Sequence, residues 1–520
     1  MNSTRNHSPE PARPTAAGSG KPQPPLGTPL PDSPHAICSS LPHLDDVIGY
    51  EEKRPETLQK LKQGYPRFLQ HPWIKQIREH LAGCFNINAS RIHPVASERA
   101  AEEINRIFSY GVRAEHHDGL NFLKLPQDAP DEAPQEIASF LQHTGYLVST
   151  REAEDWLVQQ EHLEKHFPEE TMESGSGAQN LVKSELRARS PQAGDLFLTR
   201  TGMTAGYAAL CGATQLQARK GRNVWVQLGW LYLDTQRILE RLLPENGEVV
   251  KIRDVHDLQA LRQQVADVGD RLAGLITEVP TNPLVRVPDI EPIAETVHQH
   301  GGLCVYDPTL VSLANVDALP YADIQVLSLT KYASWRGDVI AGAVMLNQER
   351  EAHDELSAWI QAYIEPPYER DLRRLAHHMQ DWYQQVQLMN ANALQLGEWL
   401  EQQKGIKRVH WAHDADSRTI YHRLAGSKET PGAILSLELA GDPRAFYDAI
   451  EVAKGPSFGT SFSLLCPFLY LAHYDLVSDP AGRQTLHRNG IDPELLRFSC
   501  GTEPIDELKA IFSDALHQSF

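Results

Sequence analysis

Several things are scarce in this 520-residue chain, and each scarcity narrows what it is. There are only 6 cysteines, Cys38, Cys84, Cys211, Cys304, Cys466 and Cys500, with no CxxC or paired spacing. Cys211 and Cys304 fall in apolar runs and read as small core residues. This usage fits a reducing compartment. No apolar run is long enough to span a bilayer. The N-terminus lacks the apolar core of a secretory signal. The expectation is a cytoplasmic protein without membrane attachment. Positive charge is in deficit: 49 Lys and Arg against 68 Asp and Glu give a net charge of −19. That argues against nucleic acid or anionic lipid as the main partner. No GxSxG, no P-loop and no internal repeat occurs. Gly175-Ser176-Gly177 follows no strand and reads as linker rather than a dinucleotide loop.

What is present is ordinary globular composition, 41% apolar and 22% charged, over a length that exceeds one minimal domain. Residues 1–36 are rich in Pro, Ser, Gly and Ala and read as a disordered tail. Residues 37–84 read as an N-terminal helical arm, interrupted by Gly64-Tyr65-Pro66-Arg67. Residues 85–190 read as a helical insertion. From 191 to 350 the pattern alternates short apolar runs with helical ones. Strands are expected at 223–227, 247–252, 272–278, 302–306, 324–327 and 339–346. That alternation implies a mostly parallel sheet covered by helices on both faces. Residues 351–520 read as long connecting helices and a smaller α/β domain with strands at 434–439, 464–465 and 496–499.

The chemistry concentrates at strand ends. Asp307 closes the run 302–306. Ser328-Leu329-Thr330-Lys331-Tyr332 closes the run 324–327. A carboxylate and an amine therefore stand at two strand tips, flanked by hydroxyls, where open α/β sheets bind ligands. An amine for a Schiff base, a carboxylate for a pyridinium nitrogen and hydroxyls for a phosphate are what pyridoxal phosphate (PLP) asks of a protein. Thr201-Gly202-Met203-Thr204 opens a helix, a place for an anion or simply a cap. Tyr232 follows a strand and either stacks on a planar ligand or packs in the core. Glu278-Val279-Pro280-Thr281-Asn282-Pro283 is a stiff turn that aims Asn282. Arg497 lies inside an apolar strand, so a carboxylate partner is implied, internal or from a ligand. His162 and His166 read as a solvated face. His116-His117 and His377-His378 give no ligand set.

These motifs, in this order, together with Gly337-Asp338, Gly342 and Leu496-Arg497-Phe498-Ser499, resemble the Cys/Met-metabolism PLP enzymes of fold type I. Gly455-Pro456-Ser457-Phe458 and the run after it look most like the fungal-type cystathionine γ-synthases. The resemblance implies that Lys331 anchors PLP covalently and that Asp307 pairs with the ring nitrogen. It implies that Tyr232 stacks on the ring and assists proton transfer. Gly202, Met203, Ser328 and Thr330 would hold the phosphate, and Asn282 would meet the ring hydroxyl. Arg497 and Ser457 would bind the substrate. Tyr65 and Arg67 resemble an element that reaches the phosphate of a neighbouring subunit, which implies a homodimer or homotetramer with shared active sites. Where bacterial and γ-lyase members carry a glutamate, this chain carries Phe462, which changes the expected polarity of the substrate pocket.

The implied activity is γ-replacement in sulfur amino-acid metabolism: an O-acylhomoserine and cysteine giving cystathionine. Two alternatives stand beside it. One keeps the cofactor and acts as a sulfhydrylase or a cystathionine or methionine lyase. The other is an inactive PLP fold kept as a scaffold.

Overall fold

A computed structural model describes residues 23–63, 69–243 and 246–519. Its centre is a seven-stranded sheet. We number the strands β1 (Ala193–Thr199), β2 (Val224–Leu228), β3 (Glu248–Ile252), β4 (Leu272–Glu278), β5 (Leu303–Asp307), β6 (Ile324–Ser328) and β7 (Gly342–Asn347). Their spatial order is β1-β7-β6-β5-β4-β2-β3. All neighbours run parallel except β7, which is antiparallel to both β6 and β1. The sheet is thus mixed, with a mostly parallel body. Every residue of β2 and β4 is buried. Such two-sided burial follows from continuous apolar runs and requires helices on both faces.

Helix α1 (Gly202–Arg219) packs on one face of this sheet. It starts where Thr201 turns extended and accepts a hydrogen bond from the Thr204 N–H at 2.9 Å. Beyond the sheet lie the helices His353–Gln361, Glu369–Met379 and Trp382–Leu400. They lead to a second, five-stranded sheet: β8 (Ile406–His410), β9 (Ile434–Leu439), β10 (Ala453–Lys454), β11 (Leu464–Pro467) and β12 (Leu496–Ser499), in the order β8-β9-β12-β11-β10. Only the β10–β11 pair is parallel.

Two segments differ from the sequence expectation. Part of the expected tail is built into the fold: Pro29–Leu30 pairs with Cys38–Ser39. Leu30, Ile37 and Cys38 bury against Ala453 and Leu464 of the second sheet. Three apolar side chains suffice to hold a Pro-rich stretch when a ready surface receives them. The segment 85–190 is not purely helical. Ile92–Pro94, Arg113–His117 and Leu120–Lys124 form a three-stranded antiparallel sheet. Asp118 and Gly119 both take positive φ and close the hairpin between the last two strands. Asp-Gly is the dipeptide such a two-residue turn requires, so the signal was in the sequence. The helices of this segment share a core with α1: the Tyr207 hydroxyl of α1 donates to Glu103 at 2.6 Å, and Phe140 and Tyr146 pack edge-on against the Tyr207 ring.

Candidate active site

The tips of β4, β5 and β6, the start of α1 and the edge of the second sheet enclose a cavity of about 180 Å³. Asp307, Ser328, Thr330, Lys331, Tyr232, Gly202, Met203, Asn282 and Arg497 all line it. Ser457 reaches it through Lys331. The expected set is therefore drawn to one place from seven separate stretches of chain. Tyr65 and Arg67 lie outside the described residues.

Lys331 follows β6 in a tight turn and is buried. Its Nζ donates to Ser457 Oγ at 3.1 Å and sits 4.9 Å from the centre of the Phe458 ring. The carbonyl of the same Ser457 accepts from Arg497 Nη2 at 3.4 Å. One serine thus couples the amine to the guanidinium. Arg497 is buried in β12, and its Nη1 donates to Asn282 Oδ1 at 3.3 Å. The rings of Phe458 and Phe468 lie about 5 Å from its guanidinium carbon, at 5.1 and 4.8 Å. Among the described residues no carboxylate stands within ion-pair distance of Arg497. A buried guanidinium held by neutral groups is a site for an anion brought from outside.

Asp307 ends β5 and accepts from the Thr309 N–H at 2.8 Å. Burial pushes its pKa up to about 6. Beside it in register on β4 is Glu278. Burial, then the Asp307 charge, pushes Glu278 up to about 8, although its Oε1 accepts from the Tyr232 N–H at 2.6 Å. Two carboxyls with raised pKa values at one strand edge mark a place prepared for a cation. Sequence reasoning named Glu278 only as part of a turn. Its position at the end of a buried strand was the available signal.

The phosphate end is shaped by Gly202. A Cβ there would come within 2.7 Å of Ser328 Cβ and 2.9 Å of its Oγ. Only glycine lets the start of α1 approach the tip of β6 so closely. The start of α1 therefore lies against the Ser328 side chain, and a helix N-terminus beside a hydroxyl suits a phosphate. Thr330 lines the cavity, and its hydroxyl bonds both the carbonyl and the N–H of Ala341 at 3.2 Å. It fastens the loop after Lys331. Phe462, expected to set pocket polarity, packs against the Leu30–Cys38 cluster and is not among the residues that line the cavity. The apolar lining comes instead from Phe458, Phe468, Leu471 and Ala472.

The residues present fit PLP. A buried lysine, a carboxylate for the ring nitrogen, a glycine-tight helix start for the phosphate and an uncompensated arginine for the α-carboxylate share one cavity. The site and sheet together define a PLP-dependent enzyme of fold type I. The sequence profile of the family described as Cys/Met metabolism PLP-dependent enzymes matches residues 191–517, and the chain belongs to that family. It is 34% identical over 490 residues to an L-2-amino-4-chloropent-4-enoate dechlorinase/desaturase of Streptantibioticus cattleyicolor, covering 94% of this chain and 97% of that one. It is 32% identical over 327 residues to a cystathionine γ-synthase of Neurospora crassa, covering 62% of this chain and 52% of the other. Among solved structures, the cystathionine γ-synthase of Xanthomonas oryzae pv. oryzae in complex with aminoacrylate and cysteine superposes with a TM-score of 0.56. It is 25% identical and covers 64% of this chain and 83% of its own. No helix among the described residues is long and apolar enough to cross a membrane.

Proposed function

We propose that this enzyme acts at Cγ of an L-α-amino acid that carries an uncharged leaving group there. In the leading reading it replaces the acyloxy group of an O-acylhomoserine with the sulfur of cysteine, giving cystathionine. The observation that carries the proposal is the Lys331–Ser457–Arg497 chain of contacts. An α-carboxylate held by Arg497 places the substrate's Cα within reach of the Lys331 amine.

PLP, when bound, supplies an electron sink for the charge left at Cα. The remaining work falls to the chain. Arg497 fixes the carboxylate and with it the direction of the side chain. Lys331 takes the proton from Cα and then one from Cβ, which expels the γ-substituent. Asp307 would hold the ring nitrogen of bound PLP and favour its cationic form. Tyr232 would lie against the ring and assist proton transfer. Phe458, Phe468, Leu471 and Ala472 keep water from the intermediate and disfavour a charged γ-substituent. In this scheme Gly202, Met203 and Ser328 hold the phosphate, and Tyr65 and Arg67 of a second copy complete it. The enzyme works as a homodimer or homotetramer in the cytoplasm.

A second reading has its own support. Similarity to the dechlorinase/desaturase runs through residues 85–190 as well as the family region. The apolar lining also suits a γ-halide. In that reading the leaving group departs and no thiol adds. The test is to supply O-acetylhomoserine with and without cysteine, and separately a γ-chloro amino acid. Cystathionine formed only with cysteine supports the first reading. Chloride released without thiol, and no cystathionine, supports the second. Turnover of neither ends both.

A further inference from the structure

The segment 85–190 and the helix before it carry a cluster that the PLP chemistry does not use. His80 and Cys84 lie one turn apart on the same face of helix Pro72–Phe85. His117 ends the strand Arg113–His117 and turns toward them. One ligand atom from each of His80, Cys84 and His117 lies within 4.8 Å of the other two. His162, just beyond helix Thr150–Gln159, places Nε2 at 2.9 Å from His80 Nδ1. Asp118 stands 3.4 Å from His117 Nε2, the kind of carboxylate that orients a ligating imidazole. The Trp156 ring packs edge-on against His80 at 5.3 Å and stacks with His162 at 6.5 Å. None of these residues lines the cofactor cavity. The sequence expectation was that His116-His117 gives no ligand set and that His162 is a solvated residue. The fold sets His117 beside residues more than thirty positions upstream, a neighbourhood that no local pattern displays.

We propose that His80, Cys84 and His117 bind a divalent transition ion of the zinc class, with His162 or a water as fourth ligand. One thiolate with two or three imidazoles selects a borderline-soft ion and not magnesium or calcium. Around a tetrahedral ion with bonds of about 2.0–2.3 Å, ligand atoms stand about 3.3–3.8 Å apart. His80 and His162 need open by only about half an ångström, and the other atoms close by about one. Cys84 and His162 are exposed and His80 and His117 half-buried, so small rotations supply this movement. On binding, the Cys84 thiol gives its proton to solvent, a metal–sulfur bond forms and the ion sheds waters. The ion then clasps helix Pro72–Phe85, the hairpin and the turn at His162. A second candidate, His298, Cys304 and Asp323, is already satisfied: Asp323 Oδ2 accepts from the Cys304 N–H at 2.7 Å and meets His298 Nε2 at 2.8 Å.

The test uses PLP-loaded enzyme, stripped with a chelator and titrated with Co(II) and then Zn(II). Expected is one equivalent bound per chain, a near-ultraviolet sulfur-to-cobalt charge-transfer band in the difference spectrum, and a higher Tm with Zn(II). Cys84→Ser abolishes the band. His80→Gln and His117→Gln weaken binding about tenfold or more. His166→Gln, whose ring pairs instead with Asp155 at 3.0 Å, behaves as wild type. An unchanged PLP spectrum in each variant shows that it has folded. The proposal fails if binding is not stoichiometric, or if Cys84→Ser and His80→Gln bind as the wild type does.

Discussion

Arg497 is the residue on which substrate recognition turns. It is buried, donates to the neutral oxygens of Asn282 and Ser457 and is flanked by two aromatic rings. Removing its charge removes a charge-assisted contact of about 1.5–3 kcal/mol. Arg497→Gln is therefore expected to raise KM about 10- to 100-fold. The visible absorbance of the bound cofactor stays the same, and steady-state kinetics beside that spectrum check both halves. Glu278 makes a different prediction. Its folded pKa, about 8, lies above that of an unfolded glutamate. Its contribution to stability is complete below about pH 4 and disappears as pH rises through the folded value. Asp307, at about 6, acts in the same sense over a lower range. Thermal melts of cofactor-free enzyme should thus show Tm falling from about pH 5 to about pH 9. Glu278→Gln should flatten the upper part of that fall.

Among the elements, the tie between residues 85–190 and the rest rests on a buried ion network. Arg151, in helix Thr150–Gln159, pairs with Glu169 at 2.7 Å and Asp371 at 3.0 Å and donates to the Asp338 carbonyl at 2.9 Å. Asp338 also receives Arg374 at 2.7 Å. Burial would raise the Asp338 carboxyl, but His378, Arg151 and Arg374 hold it below the usual range. Asp338 sits in the loop after Lys331, so the network braces the lysine from behind. Arg151→Ala takes from Asp371 its buried guanidinium partner and from Glu169 one of its partners, another being Arg370 at 3.0 Å, and should cost about 3–5 kcal/mol, read by denaturant melts. The legibility of the elements followed their physics. Strands β2 and β4 to β6 were readable because two-sided burial demands unbroken apolar runs. Strand β1 was missed: its run Ala193–Thr199 carries Gly194 and Asp195 and is only half covered at the sheet edge. Strand β8 was missed because Lys407 and Arg408 interrupt it and face water. The hairpin at Asp118-Gly119 was hidden by flanking His and charged residues, which mask strand alternation. Lys331, Asp307 and Arg497 were legible because each is a polar group at an apolar run, a placement that needs a reason. The engagement of Thr330 with Ala341 was not, since it depends on a loop pairing no local pattern encodes.

For the whole molecule, the family places the chain among PLP-dependent enzymes. Its shared-site architecture is a proposal resting on Tyr65 and Arg67. That proposal predicts complementation. Arg67→Ala and Lys331→Ala, each inactive alone, should recover roughly a quarter of wild-type activity when subunits mix at random, because half the dimers then hold one intact site. Activity no higher than either variant alone would place both residues in one subunit's site. The central claim is chemistry at Cγ driven by Lys331. It is tested most directly by turning over O-acetylhomoserine with cysteine in D2O and locating deuterium in the product by mass spectrometry. The account predicts cystathionine with deuterium at both Cα and Cβ of the four-carbon unit, and none formed by Lys331→Ala. Acetate release without deuterium at Cβ would contradict it.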